Sequence, residues 1–207
     1  MTPCWVRSSA GVGAGPRCWV IDPIDATKNF VRGVPVWATL IGLMDGNEVT
    51  VGVVSAPALG RRWWAAGAAA PGPAGASPRP AAAGSRRSPS WRTRRSPYSS
   101  LSGWEEQGRL PGFLDLTRRV WRTRAYGDFW SHMLVAEGAV EISAEPAVSL
   151  WDLAALQVIV EEAGGSVHRP GWLRPTPDGG SAVATNGRLH AEVLDLLAPA
   201  QRPWAAG

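Results

Sequence analysis

The stretch WVIDPIDATKNF, residues 19–30, holds two aspartates three positions apart at the end of an apolar run. Pro23 fixes its own φ angle and biases Asp22 towards an extended backbone. We therefore expect the carboxylates of Asp22 and Asp25 to converge, with the Ile24 carbonyl oxygen pointing the same way. Hard oxygen ligands of this kind suit Mg²⁺. The spacing fits an aspartate-rich turn that caps a helix equally well, so it does not decide between the two interpretations.

The residues that follow, Ala26, Thr27 and Lys28, are expected to open a helix. The N–H groups in the first turn of a helix have no partner within the helix, so they can hold a phosphate. A metal ion beside such groups is an arrangement suited to phosphoryl transfer. The stretch thus predicts a site for a phosphorylated small molecule together with a metal.

The composition is typical of one globular domain that spans residues 1–207. Apolar residues make up 45% of the chain, and no apolar run approaches the roughly 20 residues of a membrane span. The first residues, MTPCWVRSSAG, lack the apolar core of a signal peptide. We therefore expect a cytoplasmic protein without a membrane partner.

The net charge of +4 comes from one unusual segment rather than from the whole chain. Residues 65–97 are rich in Ala, Pro, Gly, Ser and Arg and show no helical or strand period, which is typical of a disordered segment. No acidic residue occurs between Glu48 and Glu105, while the rest of the chain is acidic on balance. Because no aromatic and basic recognition motif accompanies these arginines, we expect no nucleic-acid partner. Salt-sensitive nucleic-acid binding through this segment is the alternative.

Apolar periodicity and turn residues predict alternating strands and helices, which places the fold in the α/β class. Strands are expected at residues 18–21, 36–44, 48–54, 139–143, 166–168 and 181–185. Helices are expected at residues 112–119, 127–138, 150–163 and 190–197. The sequence Asp-Gly-Asn at residues 45–47 predicts a hairpin turn, and Ser149 is expected to cap the helix that follows it.

A second stretch, LWDLAALQVIVEEAGG at residues 150–165, adds to the first. The two stretches resemble the signatures W-x-I-D-P-I-D-G-T-x-N-F and W-D-x-A-A, with a following E-A-G-G, of the inositol monophosphatase family. Further segments, such as YGDFWSHMLVAEGAVEI and GGSAVATNG, resemble the histidinol-phosphate phosphatase branch. The resemblance implies a Mg²⁺-dependent phosphomonoesterase with the layered αβαβα sugar-phosphatase fold, incomplete at its N-terminus.

The substrate implied by this resemblance is a small phosphate monoester, in the first place L-histidinol phosphate, an intermediate of histidine biosynthesis. Inositol monophosphatases and other sugar-phosphate phosphatases share both signatures, so they remain an alternative. A catalytically inactive fragment of such an enzyme is a second alternative. The family often forms dimers, which leaves a homodimer open for this chain.

The resemblance also implies roles for individual residues. The metal ligands would be Asp22, the Ile24 carbonyl, Asp25 and Asp152. Backbone N–H groups of Ala26 and Thr27 would hold the phosphate, and the Thr27 hydroxyl would orient the attacking water. Asp22 and Thr27 would thus be the catalytic residues, in a direct in-line displacement without a covalent enzyme intermediate. The alcohol part of the substrate would contact Glu145 and Asp128, for which a solvated loop acid and a helix cap, respectively, are the alternatives.

The chain departs from the family pattern in three places. Ala26 stands where the family has glycine, residues 65–97 do not resemble the family, and an upstream G-E-E motif with metal-binding glutamates is missing. Codons for residues 2–10 can be chosen so that a reading frame starting two bases later encodes AVLGEEFG, which contains the missing G-E-E motif. Codons for residues 85–97 can be chosen so that one added base gives VSAVSELEDASFA. We hypothesise that residues 1–17 and 65–97 are out-of-frame products, with a natural disordered insertion as the alternative.

Overall fold

The structure is a computed structural model that describes residues 4–6, 17–67, 95–168 and 180–198. Its largest sheet is five-stranded, and its first two strands are parallel while the others pair antiparallel. In spatial order the strands are β1 (Cys4–Val6), β2 (Arg17–Asp25), β3 (Ala38–Asp45), β4 (Glu48–Ala56) and β5 (Arg61–Ala66).

The β3–β4 hairpin follows from simple alternation. Its strands expose and bury successive residues in turn, as expected for strands with one face against a core. The predicted turn lies between them, because Asp45 pairs with Glu48 and Gly46 adopts a left-handed φ of 61°. Strand β5 was not predicted, although it alternates in the same way.

The remaining elements form two small sheets and six helices among the described residues. The strands are β6 (Arg95–Pro97), β7 (Arg122–Arg124), β8 (Ile142–Val148), β9 (Ser166–His168) and β10 (Gly180–Thr185). The helices are α1 (Thr27–Val31), α2 (Leu101–Glu106), α3 (Leu110–Arg119), α4 (Asp128–Ala136), α5 (Leu150–Glu162) and α6 (His190–Leu196). Strands β8, β10 and β9 form one sheet in that order, and β6 pairs with β7. No helix of this described part is long and apolar enough to cross a bilayer.

Two hydrophobic cores separate the layers. The larger core lies between the five-stranded sheet and helices α4 and α5, and it continues to β9 and β10. The smaller core joins α2, α3 and α6 to the opposite side of β8 and β10. The described residues thus form a β-α-β-α stack, which agrees with the predicted layered α/β fold.

Helix α5 lies unusually close to β4. A Cβ atom added to Gly52 would lie 2.4 Å from the Ala155 carbonyl oxygen, a distance that real Cβ atoms do not adopt. Glycine at position 52 therefore lets the backbones of strand and helix come into contact. This approach fixes the first turn of α5, which holds Asp152, relative to the sheet that holds Asp22 and Asp25.

The strand predicted at residues 139–143 is wrong in its bounds. Residues 138–140 instead complete the end of α4, because Gly138 has a φ of 70° and the N–H groups of Ala139 and Val140 donate to the Leu134 carbonyl oxygen. The strand β8 begins at Ile142 and includes Glu145. The N-cap at Ser149 and the helix after it are as predicted.

The unusual segment at residues 65–97 lies partly within the structure. Ala65 and Ala66 complete β5, and Arg95–Pro97 forms β6. The intervening residues 68–94 lie outside the described residues, as do residues 7–16 of the N-terminal segment.

Candidate metal centre and substrate pocket

A bulge at the end of β2 brings the two aspartates to one face of the sheet. In a regular strand, residues three positions apart point to opposite faces. Here Asp22 pairs with Leu40 and Asp25 pairs with Ala38, so three steps on β2 match two on β3. The Ile24 N–H donates to Asp22 Oδ1 over 3.0 Å, and this local turn stabilises the bulge. Both carboxylates are buried as a result.

A third carboxylate reaches the pair from α5. One side-chain oxygen from each of Asp22, Asp25 and Asp152 lies within 4.8 Å of the others. Asp152 occupies the first helical turn, where its Oδ2 accepts a hydrogen bond of 2.8 Å from the Ser149 N–H. Three hard oxygen donors in this arrangement could hold a metal ion.

The electrostatics of the cluster favour a cation. Burial raises the pKa of Asp25 well above its usual value, and the charges of Asp128, Asp152 and Asp22 raise it further. A hydrogen bond of 2.9 Å from the Phe129 N–H to Asp25 Oδ2 acts in the opposite direction. A cation between the carboxylates would offset the repulsion that contributes to this rise in pKa.

The residues after the bulge form the floor of the pocket. Ala26 has φ 61° and ψ 44°, a left-handed conformation that is strained for a residue with a Cβ. Its carbonyl oxygen accepts hydrogen bonds from the N–H groups of Asn29 and Phe30 and so begins α1. The Thr27 hydroxyl donates to the Ile24 carbonyl oxygen over 2.7 Å. The Ile24 carbonyl oxygen and the Thr27 hydroxyl oxygen each keep a lone pair for a further partner, such as a metal or a water. Their predicted roles as metal ligand and water-orienting group stay predictions.

Glu145 lies deep in the pocket wall rather than in a solvated loop. Its side chain is buried in β8, and its Oε2 accepts a hydrogen bond from the Ser99 hydroxyl. Burial raises the pKa of Glu145 to about 8, with smaller increases from Asp128 and Asp152, while the Ser99 hydrogen bond lowers it. The Oε1 atom has no hydrogen-bond partner among the described residues. This atom could accept a hydrogen bond from a cationic ligand.

One pocket of about 220 Å³ collects most of the predicted residues. Among them Asp128 opens α4, whose cap position belongs to Gly127 rather than to Asp128. Ile24 is not one of the lining residues. The predicted residues that line the pocket are Asp22, Asp25, Ala26, Thr27, Asp128, Glu145 and Asp152.

Six lining residues were not predicted as parts of the site. Three are apolar, and the three polar ones are Lys28, Ser99 and His132. His132 is four residues after Asp128, so the two residues lie on the same side of α4. This spacing could have identified His132 from the sequence as a candidate for the site. Lys28 belongs to the quoted stretch itself. Ser99 had no such signal, because its place beside Glu145 results from tertiary packing.

Comparisons with known proteins agree with this architecture. A model of the inositol monophosphatase family matches residues 7–202. The histidinol-phosphatase of Streptomyces coelicolor is 58% identical over 199 residues, which cover 89% of this chain and 71% of the relative. The histidinol-phosphatase of Mycobacterium tuberculosis is 54% identical over 181 residues, which cover 87% of this chain and 69% of the relative. The solved inositol monophosphatase of Anabaena superposes with a TM-score of 0.81 at 25% identity over 95% of this chain and 78% of its own, which confirms the predicted fold.

Replacing Ala26 by glycine should stabilise the protein. Glycine adopts the left-handed conformation without steric strain, so Ala26→Gly is expected to raise the free energy of unfolding by about 0.5–1 kcal/mol. Urea denaturation would measure the change. The matched control is Ala38→Gly in β3, which should lower the same free energy because Ala38 is buried in a strand. A loss of stability in both variants would contradict the strain at position 26.

Glu145→Gln should stabilise the metal-free protein in a pH-dependent way. The pKa of Glu145 is about 8 in the folded chain against 4.5 ordinarily, so folding takes up a proton between these values and becomes costlier as the pH rises. The glutamine variant avoids that cost. Its advantage over the parent should be small at pH 4.5 and reach the order of a few kcal/mol at pH 8.

Urea unfolding in the presence of a chelator, at both pH values, would measure this difference. Glu48→Gln, which changes an exposed acid at the start of β4, should alter the unfolding free energy little at either pH. A Glu145→Gln variant whose advantage does not grow with pH would show that Glu145 is ionised in the folded chain.

Proposed function

Because the chain belongs to the inositol monophosphatase family, we propose that it hydrolyses L-histidinol phosphate to histidinol and phosphate with the help of Mg²⁺. Membership makes the chain a phosphatase, a hydrolase of phosphate monoesters. The observation that carries the proposal is the convergence of Asp22, Asp25 and Asp152 within 4.8 Å, in the pocket that also contains Ala26 and Thr27.

The residues fit Mg²⁺. The three acidic ligands are carboxylates, which are the hard oxygen donors that Mg²⁺ prefers. The raised pKa of Asp25 supports the fit. It results first from burial and then from repulsion by neighbouring carboxylates, and a divalent cation would relieve that repulsion. The ligands would be Asp22, Asp25 and Asp152, with the Ile24 carbonyl as a fourth.

The chain would contribute position and charge to the reaction. When bound, the metal supplies an acidified water and neutralises charge on the phosphoryl oxygens. The backbone N–H groups of Ala26 and Thr27 would hold the phosphate, close to the entrance where Lys28 adds a positive charge. The Thr27 hydroxyl would orient the attacking water from its place beside the Ile24 carbonyl. Alignment of these groups is the main contribution that a protein makes to phosphoryl transfer.

The pocket charge supports an amino alcohol over a neutral polyol. Five acidic side chains and one lysine line the pocket among the described residues. A divalent cation would offset part of that charge, and Glu145 and Asp128 would be left to meet an ammonium group. The two relatives described above, from Streptomyces coelicolor and Mycobacterium tuberculosis, are both named histidinol-phosphatases. Their names point to the same substrate.

The wider setting is also a proposal. We expect a cytoplasmic enzyme of histidine biosynthesis that acts on a small molecule, without nucleic-acid or membrane partners. A homodimer is the assembly that the family resemblance suggests.

A substrate panel tests the proposal directly. Phosphate release from L-histidinol phosphate should exceed release from inositol 1-phosphate and should stop when a chelator removes the metal. Asp152→Asn should lower kcat/KM at least roughly tenfold, as expected when a metal site is disturbed. The matched control Asp115→Asn, which changes an exposed acid paired with Arg119, should not. A preference for inositol 1-phosphate would instead favour an inositol monophosphatase.

The alternative of an inactive fragment has an observation in its favour. Strand β1 ends at Val6, which pairs with Ile21, the residue before Asp22. The sequence after Val6 contains no acidic residue before Asp22, whereas the shifted reading frame places the two glutamates of G-E-E directly there. The given sequence therefore supplies no carboxylate between Val6 and Asp22 that could act as such a ligand.

Resequencing of the coding DNA across codons 1–100 should reveal small insertions or deletions near codons 11, 66 and 98. A chain expressed from the corrected frame should release phosphate from L-histidinol phosphate much faster than the chain as given, because it regains two metal ligands. An unchanged reading frame would refute the out-of-frame hypothesis, and the slow phosphate release would then be a property of the natural protein.

A further inference from the structure

His132 has an unusual position for a buried histidine. It lies in the middle of α4, is only 1% exposed and lines the substrate pocket. Its Nδ1 lies 3.3 Å from the Asp128 carbonyl oxygen. Its Nε2 is buried and has no hydrogen-bond partner among the residues that the structure describes. A buried polar atom without a partner is costly unless a ligand or water completes it.

The contact with Asp128 determines which nitrogen carries the proton. A carbonyl oxygen can only accept, so the Nδ1–H group must donate to it. The Nε2 atom of the neutral ring is then an acceptor with a free lone pair. Burial lowers the pKa of His132 to about 4, so the ring stays neutral at neutral pH.

We propose that His132 determines substrate specificity by accepting, at Nε2, a hydrogen bond from an N–H group of the alcohol part of the substrate. This inference rests on the proposed function, and it adds a residue that neither family signature contains. Glu145 Oε1 is a second acceptor without a partner on the same pocket. An alcohol with an ammonium group and an imidazole N–H supplies one donor for each of the two atoms.

The two acceptors differ in what they can discriminate. A carboxylate such as Glu145 attracts any cation, whereas a neutral imidazole nitrogen requires a directed donor. A site built to receive a hydrogen bond rejects ligands that leave its buried atom unpaired. His132 would therefore separate N–H-bearing alcohols from alcohols of similar size that place only carbon at this point.

Binding of the product alcohol tests the inference without requiring turnover. Nuclear magnetic resonance titrations of the full chain, with Mg²⁺ and inorganic phosphate present, would compare L-histidinol with myo-inositol. In the parent chain the ¹⁵N signal of His132 Nε2 should move when histidinol is added. His132→Phe should reduce the preference for histidinol about tenfold, the effect of one buried hydrogen bond, and His132→Gln should restore part of it.

His190→Phe is the matched control. His190 is equally buried, but it bonds to Thr185 and His168 and is not among the pocket residues, so its replacement should leave the preference intact. The nitrogen shift needs no substitution, which keeps the test decisive if a phenylalanine variant fails to fold.

The outcomes separate the inference from the function on which it rests. A parent chain that prefers histidinol, with an unmoved Nε2 signal and an unchanged preference in His132→Phe, would overturn the role of His132 alone. A parent chain that does not prefer histidinol would overturn the proposed substrate and the role of His132 together.

Discussion

Like charges cannot share a small buried space unless a cation joins them, and this constraint governs the whole pocket. Asp25 shows it most clearly, since burial and three neighbouring carboxylates all push it towards its protonated form. Glu145 shows the same effect on the opposite wall. The fold supplies the energy to hold these groups together, through the packing of α5 on the sheet and the hydrogen bonds of the bulge. A metal and a cationic ligand would offset this repulsion.

The layered architecture explains why the ligands come from distant parts of the chain. Asp22 and Asp25 end a strand of the five-stranded sheet, Asp152 begins a helix that packs on that sheet, and Glu145 belongs to the next sheet. The pocket therefore lies where two layers end together. Small residues set the distance between the layers, and at Gly52 the backbones of β4 and α5 come into contact. Catalytic geometry in this chain depends on core packing as much as on the acids themselves.

Sequence patterns predicted the parts of the site that are local. Asp22 and Asp25 lie within one short stretch, so their convergence needed no long-range information. The roles of Asp152, Glu145 and Asp128 came from the family resemblance, because tertiary packing brings them to the same pocket. Strand β5 was not predicted because its two adjacent tryptophans hide the alternation of buried and exposed positions. In the structure Trp63 is buried and Trp64 is exposed. The bounds of β8 were misplaced because residues 138–142 include small and apolar residues that fit the end of a helix as well as the start of a strand. Ser99 became visible as part of the site only when separate elements were brought to one pocket.

The bulge in β2 has a meaning beyond aiming two side chains. Two acids separated by a single residue would also face the same side of a regular strand, so a shorter D-x-D would bury both carboxylates without any bulge. The longer form adds one backbone unit, and with it the turn from Ile24 to Asp22 and the carbonyl that Thr27 contacts. Deleting one codon between the two aspartates would leave both side chains on the same face of the strand, but it would remove the carbonyl oxygen that Thr27 contacts. The diagnostic feature of this stretch is therefore its residue count rather than its acidity, and scans for related sites should weigh spacing before charge.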